Sequence, residues 1–318
     1  MPNFRRARLS LAQRVREKQL IRVSDFVAVE RDALELRYAG LVGERAVPEF
    51  GVQTPPDLLH AWLALYGSDV PVYYTGLQPS AAKCSPGCAL FCAFARPMLI
   101  LSNSIGTTLN MWDMQIPDLS KHFRVLRYDA RGHGASDVPA GGYSVDRLGR
   151  DVIELLDALN IGRALFCGLS LGGVVGQWLG IHAPERIDRL ILCNTASFLG
   201  PAEQWDNRIA SVLHAENLSE TAEMFLTNWF PARMLKSESS IIRTVRAMLL
   251  ATHPQGYAGC YAAVRDMDMR RTIALIRCPT LVIAGQYDTV TLPSHSELIA
   301  ATIPGSKLII LPSWRVKA

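Results

Sequence analysis

The stretch Gly168-Leu169-Ser170-Leu171-Gly172 decides the fold. It follows the short apolar run Ala164-Leu165-Phe166-Cys167 and precedes a glycine-rich apolar pattern over 173–181. That order predicts a strand, a sharp turn and a helix, with a serine at the apex. A strand-to-helix elbow exposes the hydroxyl and aims it at the helix N-terminus, where free N–H groups can stabilise an oxyanion. Glycine is needed two residues before and two after, because side chains there would collide in so tight a bend.

Outward from the elbow, apolar strands alternate with amphipathic helices from Pro97 onward. This is the pattern of an α/β protein with a mostly parallel sheet and helices on both faces. Strands are predicted at 98–103, 123–129, 190–194, 280–284 and 308–311, and helices at 110–121, 145–159 and about 294–301. Ser144 stands where an N-cap belongs, with Asp146 in the first turn of its helix. A helical insertion over about 201–273 is expected to form a cap above Ser170. Residues 97–318 therefore read as one domain. Residues 1–96 form an N-terminal extension with no assignable fold. Its first 24 residues carry six arginines and one lysine against the single acid Glu17. Such a start fits a solvated basic helix better than a transit peptide.

Composition narrows the function. The chain has 318 residues, of which 49% are hydrophobic. No apolar run approaches the ~20 residues of a membrane span. The net charge of +4 is too mild, and too dispersed, to suggest nucleic acid. Seven cysteines occur. Cys167, Cys193, Cys260 and Cys278 sit in apolar contexts expected to be reduced core. An odd count points to a reducing, cytoplasmic setting. Cys84, Cys88 and Cys92 recur every four residues, but no histidine or acid stands nearby to complete a metal site. No metal or cofactor is expected.

Several runs together resemble the α/β-hydrolases and, more narrowly, the 3-oxoadipate enol-lactonases of the β-ketoadipate pathway of aromatic compound catabolism. These are Leu101-Ser102-Asn103-Ser104-Ile105-Gly106-Thr107, Tyr128-Asp129-Ala130-Arg131-Gly132-His133-Gly134-Ala135-Ser136 and the elbow itself. Leu192-Cys193-Asn194-Thr195-Ala196, Arg265-Asp266-Met267-Asp268 and Pro279-Thr280-Leu281-Val282-Ile283-Ala284-Gly285 continue the match. Ser-Asn-Ser-Ile-Gly at 102–106 and Gly176-Gln177-Trp178 point to the lactonases within the larger group.

The resemblance implies an α/β-hydrolase fold and a serine hydrolase that opens a small-molecule lactone, with no nucleic-acid or membrane partner and an oligomeric state left open. Ser170 would be the nucleophile, and the backbone N–H groups of Ile105 and Leu171 the oxyanion hole. Asp288, at the turn after strand 280–284, would be the acid of the triad. The histidine expected after the last strand has no counterpart, since Pro312-Ser313-Trp314-Arg315-Val316-Lys317-Ala318 contains none. The ends of the match thus predict a fold incomplete at both ends, in a truncated or frame-disrupted member with impaired catalysis. A lactone bearing a free carboxylate calls for a cation. Trp205 and Arg208, one helical turn apart, are the candidates, with Arg265 as the alternative. Trp178 and Trp229 read as packing residues. Another esterase or C–C hydrolase of the same fold, and a non-catalytic descendant, are the competing functions.

Overall fold

The computed structural model describes residues 96–312 apart from Glu238. Residues 1–95, the Cys84/Cys88/Cys92 spacing and the tail 313–318 lie outside the described residues, and with them the expected N-terminal extension and the expected incompleteness of both ends.

Six parallel strands form one sheet. They are β1 (Met98–Ser102), β2 (Arg124–Arg127), β3 (Ala164–Leu169), β4 (Ile187–Cys193), β5 (Thr280–Gly285) and β6 (Lys307–Leu311), in spatial order β2-β1-β3-β4-β5-β6. Leu99 pairs with Val125 on one side and Leu165 on the other, and Cys193 lies opposite Ile283. The interior strands β1 and β5 are buried at every position, as a parallel sheet covered on both faces requires. Successive side chains alternate between two cores. Ile100, Phe166, Leu190 and Val282 face one core, and Leu99, Leu165, Ile191 and Leu281 the other.

The chain leaves β1 toward β2, then crosses back to β3 on the opposite side of β1. The order of the strands reverses between β1 and β3. Ligands in such sheets bind in the crevice beyond the strand C-termini at that reversal. The turn after β1 and the elbow after β3 both open there.

Short α1 (Ile116–Leu119) follows a 3₁₀ turn at Leu109–Trp112, where the sequence predicts one helix over 110–121. Pro117 interrupts it, having no N–H to bond the carbonyl of Asp113. Helix α2 (Val145–Ala158) begins at Ser144, whose hydroxyl accepts the Arg147 N–H at 3.1 Å, and it buries Leu148, Val152, Leu155 and Leu156 along one stripe. Helix α3 (Leu171–His182) leaves the elbow and is buried along most of its circumference. A methyl on Gly149 would lie 2.0 Å from the Trp178 ring, so glycine lets α2 pack directly on α3. Strand β4 starts three residues earlier than the sequence predicts. Polar Asp188 and Arg189 hide its beginning, and Asp188 pairs with Arg163 at 3.0 Å on the exposed rim.

The predicted insertion holds α4 (Ala202–His214), α5 (Ser219–Trp229), α6 (Ala232–Ser237), α7 (Ser240–Ala251) and α8 (Pro254–Asp266), and a 3₁₀ turn at Thr272–Leu275 ends it. Helix α9 (Pro293–Thr302) joins β5 to β6. Among the described residues no helix is long and apolar enough to cross a membrane, and no cluster of metal-ligating side chains occurs. Cys167, Cys193, Cys260 and Cys278 are free thiols, Cys260 buried and the others half-buried.

Candidate active site

Ser170 sits at φ +55°, ψ −112° between β3 and α3. A non-glycine residue holds such angles only where its surroundings over-determine them. Here its N–H donates to the Cys193 carbonyl at 2.9 Å, and its own carbonyl accepts from the Thr195 hydroxyl at 2.8 Å and the Val174 N–H at 3.0 Å. The flanking glycines are sterically obligatory. A methyl on Gly168 would fall 2.2 Å from the Gly172 carbonyl oxygen, and one on Gly172 would fall 2.3 Å from that of Ser102. The Ser170 hydroxyl caps nothing, and the residue lines a cleft.

Ile105 and Leu171 line the same cleft. No described acceptor takes either of their N–H groups. Leu171 opens α3, so its N–H belongs to the positive end of the helix dipole. The turn that carries Ile105 is held from several sides. The Gly172 N–H donates to the Asn103 carbonyl at 3.0 Å, and the Asn103 side chain joins the Tyr128 carbonyl and the Trp112 indole. Gly106, at φ +78°, donates its N–H to His133 Nε2 at 2.8 Å, and the Thr252 hydroxyl bonds its carbonyl at 3.2 Å.

His133 is buried, with Nδ1 3.1 Å from the Arg131 carbonyl. A neutral ring satisfies both contacts, with Nδ1–H donating and Nε2 accepting. Burial pulls its pKa below the ordinary 6.5, against the opposing influence of the Arg131 carbonyl and the Asp129 charge. The unfolded chain therefore binds a proton here that the folded chain resists. This group contributes stability that is present above about pH 6.5 and is lost as the pH falls from there toward its lowered folded value. His295 shifts in the same direction, chiefly by burial. We expect His133→Gln to flatten part of the acid-side loss, which urea melts of both chains between pH 5 and 7.5 would measure. Identical slopes would place the dependence elsewhere.

Asp288 follows β5 and is 2% exposed. Its Oδ2 accepts from Asn194 Nδ2 at 2.5 Å and the Thr291 hydroxyl at 2.7 Å, and its Oδ1 from the N–H groups of Val290 and Thr291 at 2.8 and 2.9 Å. Asn194, Val290 and Thr291 all line the cleft, so the carboxylate lies one residue behind its wall. No described histidine lines the cleft. His133 supports the Ile105 turn, His182 packs at a tilt against Trp178 with ring centroids 4.9 Å apart, and His295 lies on α9.

The cap supplies the opposite wall with Trp205, Phe225, Trp229 and Val264. Trp229 thus reaches the cleft as well as packing on Phe225, whereas Trp178 only packs. Arg208 is the one charged side chain among the described residues lining the cleft. Its guanidinium carbon lies 4.9 Å from the Trp205 ring centroid, and it makes no ion pair with a described residue. Arg265, the alternative cation, lies elsewhere. It pairs with Asp206 and Asp266, each at 2.7 Å, and does not border the cleft. Its reach ends in those neighbouring carboxylates on the cap surface. Asn194, Thr195, Thr291 and Tyr261 were not singled out as site residues from the sequence. The first two lie in the run Leu192–Ala196 that carried part of the resemblance, and their position directly after a strand was the available signal.

Residues 97–315 match the model of the alpha/beta hydrolase fold family. Over 247 residues the chain is 39% identical to 3-oxoadipate enol-lactonase 2 of Acinetobacter baylyi, covering 78% of this chain and 92% of that one. A hydrolase from Pseudomonas aeruginosa superposes with a TM-score of 0.68 at 62% identity, covering 70% of this chain and 83% of that structure. The enol-lactonase from Burkholderia xenovorans superposes at 0.67 with 40% identity, covering 69% and 84%. With its elbow, its sheet order and these matches in hand, the chain belongs to the alpha/beta hydrolase fold family.

Proposed function

We propose that this chain is a serine hydrolase of the enol-lactonase kind, acting on a lactone that bears a free carboxylate. The observation that carries this reading is the meeting, at one cleft, of an uncommitted serine hydroxyl and two uncommitted N–H groups. Ser170 Oγ attacks the lactone carbonyl, and its proton passes to a base. The oxygen turns into an oxyanion facing Ile105 and Leu171. The ring C–O bond breaks, and the enolate it releases stays tethered to the acyl chain and takes up a proton to become the ketone. Water then cleaves the acyl-enzyme and restores Ser170. Asp288 would orient and compensate an imidazolium at the cleft. Arg208 would take the carboxylate, since it is the one cation among the described residues lining the cleft.

Losing a charge-assisted hydrogen bond costs ~1.5–3 kcal/mol. We therefore expect Arg208→Ala to raise KM for the enol-lactone about tenfold or more, and to leave phenyl acetate hydrolysis unchanged. Steady-state rates with both esters, taken with free imidazole in the buffer, test this. Equal KM values would remove Arg208 from substrate binding. The lack of a described histidine at the cleft favours a second reading, a ligand-binding protein without turnover. Under that reading imidazole gives either ester no rate above its protein-free background.

A further inference from the structure

Tyr261 lines the cleft and carries a hydroxyl with no partner among the described residues. The residue is 1% exposed, and its ring packs against Trp205 and Tyr257 at 5.6 and 6.0 Å. Its neighbour Tyr257 is equally buried but donates to the Leu249 carbonyl at 2.8 Å. A buried hydroxyl without a partner is unfavourable, and phenylalanine would fill the same space without that cost. An unpartnered hydroxyl on a residue that lines a cleft points to a ligand that supplies the missing acceptor.

Arg208 borders the same cleft from α4, while Tyr261 stands on α8. Both side chains pack on Trp205, at 4.9 and 5.6 Å, and the positive charge of Arg208 acts on the phenol. Burial nonetheless raises the phenol's pKa above its ordinary value, so the group remains a neutral O–H donor. Two residues with donors, one charged and one neutral, therefore line one cleft, and no carboxylate among the described residues lines it. A two-oxygen anion can accept from both at once.

We propose that the Tyr261 hydroxyl and the Arg208 guanidinium together form the receptor for the substrate carboxylate, with Tyr261 a specificity-determining residue. This rests on the enol-lactonase reading and adds a second donor to it. The test is calorimetric titration with adipate, a stable six-carbon dicarboxylate, of the 318-residue chain and its Tyr261→Phe and Arg208→Ala variants. Thermal melts without ligand accompany each titration. Tyr261→Phe is expected to bind adipate about tenfold to hundredfold more weakly, the range for a hydrogen bond to a charged group. Its Tm is expected to stay level or rise, because the hydroxyl it loses was unsatisfied.

Equal adipate affinity in Tyr261→Phe, with weakening in Arg208→Ala, overturns the role of Tyr261 and leaves the enol-lactonase reading intact. A Tm several degrees lower in Tyr261→Phe also overturns it, by giving the hydroxyl a structural partner. Failure of the unsubstituted chain to bind adipate overturns both.

Discussion

With free imidazole in the buffer, and the protein-free rate subtracted, the 318-residue chain should open the enol-lactone faster by about 10²-fold or more, and its Ser170→Ala variant should gain nothing. Without imidazole the two should hydrolyse the lactone at similar low rates. The asymmetry follows from how a nucleophile and its base act as a unit. Removing one member costs about as much as removing all, on the order of 10⁶ in kcat, and leaves a residual ~10³–10⁴ over water from the oxyanion hole and binding. No described histidine lines the cleft, and on the proposed reading an added base is what should activate the serine. Initial rates across an imidazole titration, with both chains, measure the effect. A Ser170→Ala variant that responds equally to imidazole would show that attack proceeds without this hydroxyl.

The second large effect is on stability. Gly172→Ala should lower Tm by about 4–8 °C and abolish whatever acyl transfer remains. The added methyl would meet the Ser102 carbonyl oxygen at 2.3 Å and its carbon at 2.6 Å, both of them backbone atoms of β1. Neither can rotate away. Relief requires α3 to lift from β1, which separates Leu171 from Ile105. Overpacking of this kind costs ~1–3 kcal/mol or somewhat more, and only about 1 kcal/mol returns through better helix propensity. A net loss of ~2 kcal/mol corresponds to that Tm shift in a domain of this size. Gly162→Ala is the control, because no atom lies within 4 Å of a methyl placed there. Differential scanning calorimetry of the two variants should show the first shifted and the second level or slightly higher. Equal melting points would mean that β1 and α3 are not in the contact described.

Much of the fold was legible because its signals are local. The elbow announces itself through glycine spacing, and the parallel strands through unbroken apolar runs such as Met98–Ser102 and Thr280–Gly285. Where local signals conflict, the reading slips. Pro117 splits a helix whose apolar pattern runs straight through it, and Asp188 masks the start of β4. The site was legible only in part, because its remaining members come together through topology. Asn194 reaches Asp288 across 94 residues of chain, and Gly106 reaches His133 only because β2 lies beside β1. The unpartnered hydroxyl of Tyr261 leaves no trace in the sequence, where Tyr257 and Tyr261 look alike. Arg265 illustrates the converse. It stands in a run that resembles the family, yet its charge is taken up by Asp206 and Asp266.

The central claim is that the Ser170 hydroxyl is the nucleophile of this cleft. Its most direct test is peptide mapping by mass spectrometry after treatment with a fluorophosphonate, with and without imidazole. One adduct is expected, on the peptide that carries Ser170, forming faster with imidazole and absent from Ser170→Ala. An unlabelled Ser170 under both conditions, or a phosphonate on another side chain at the same rate, would contradict it.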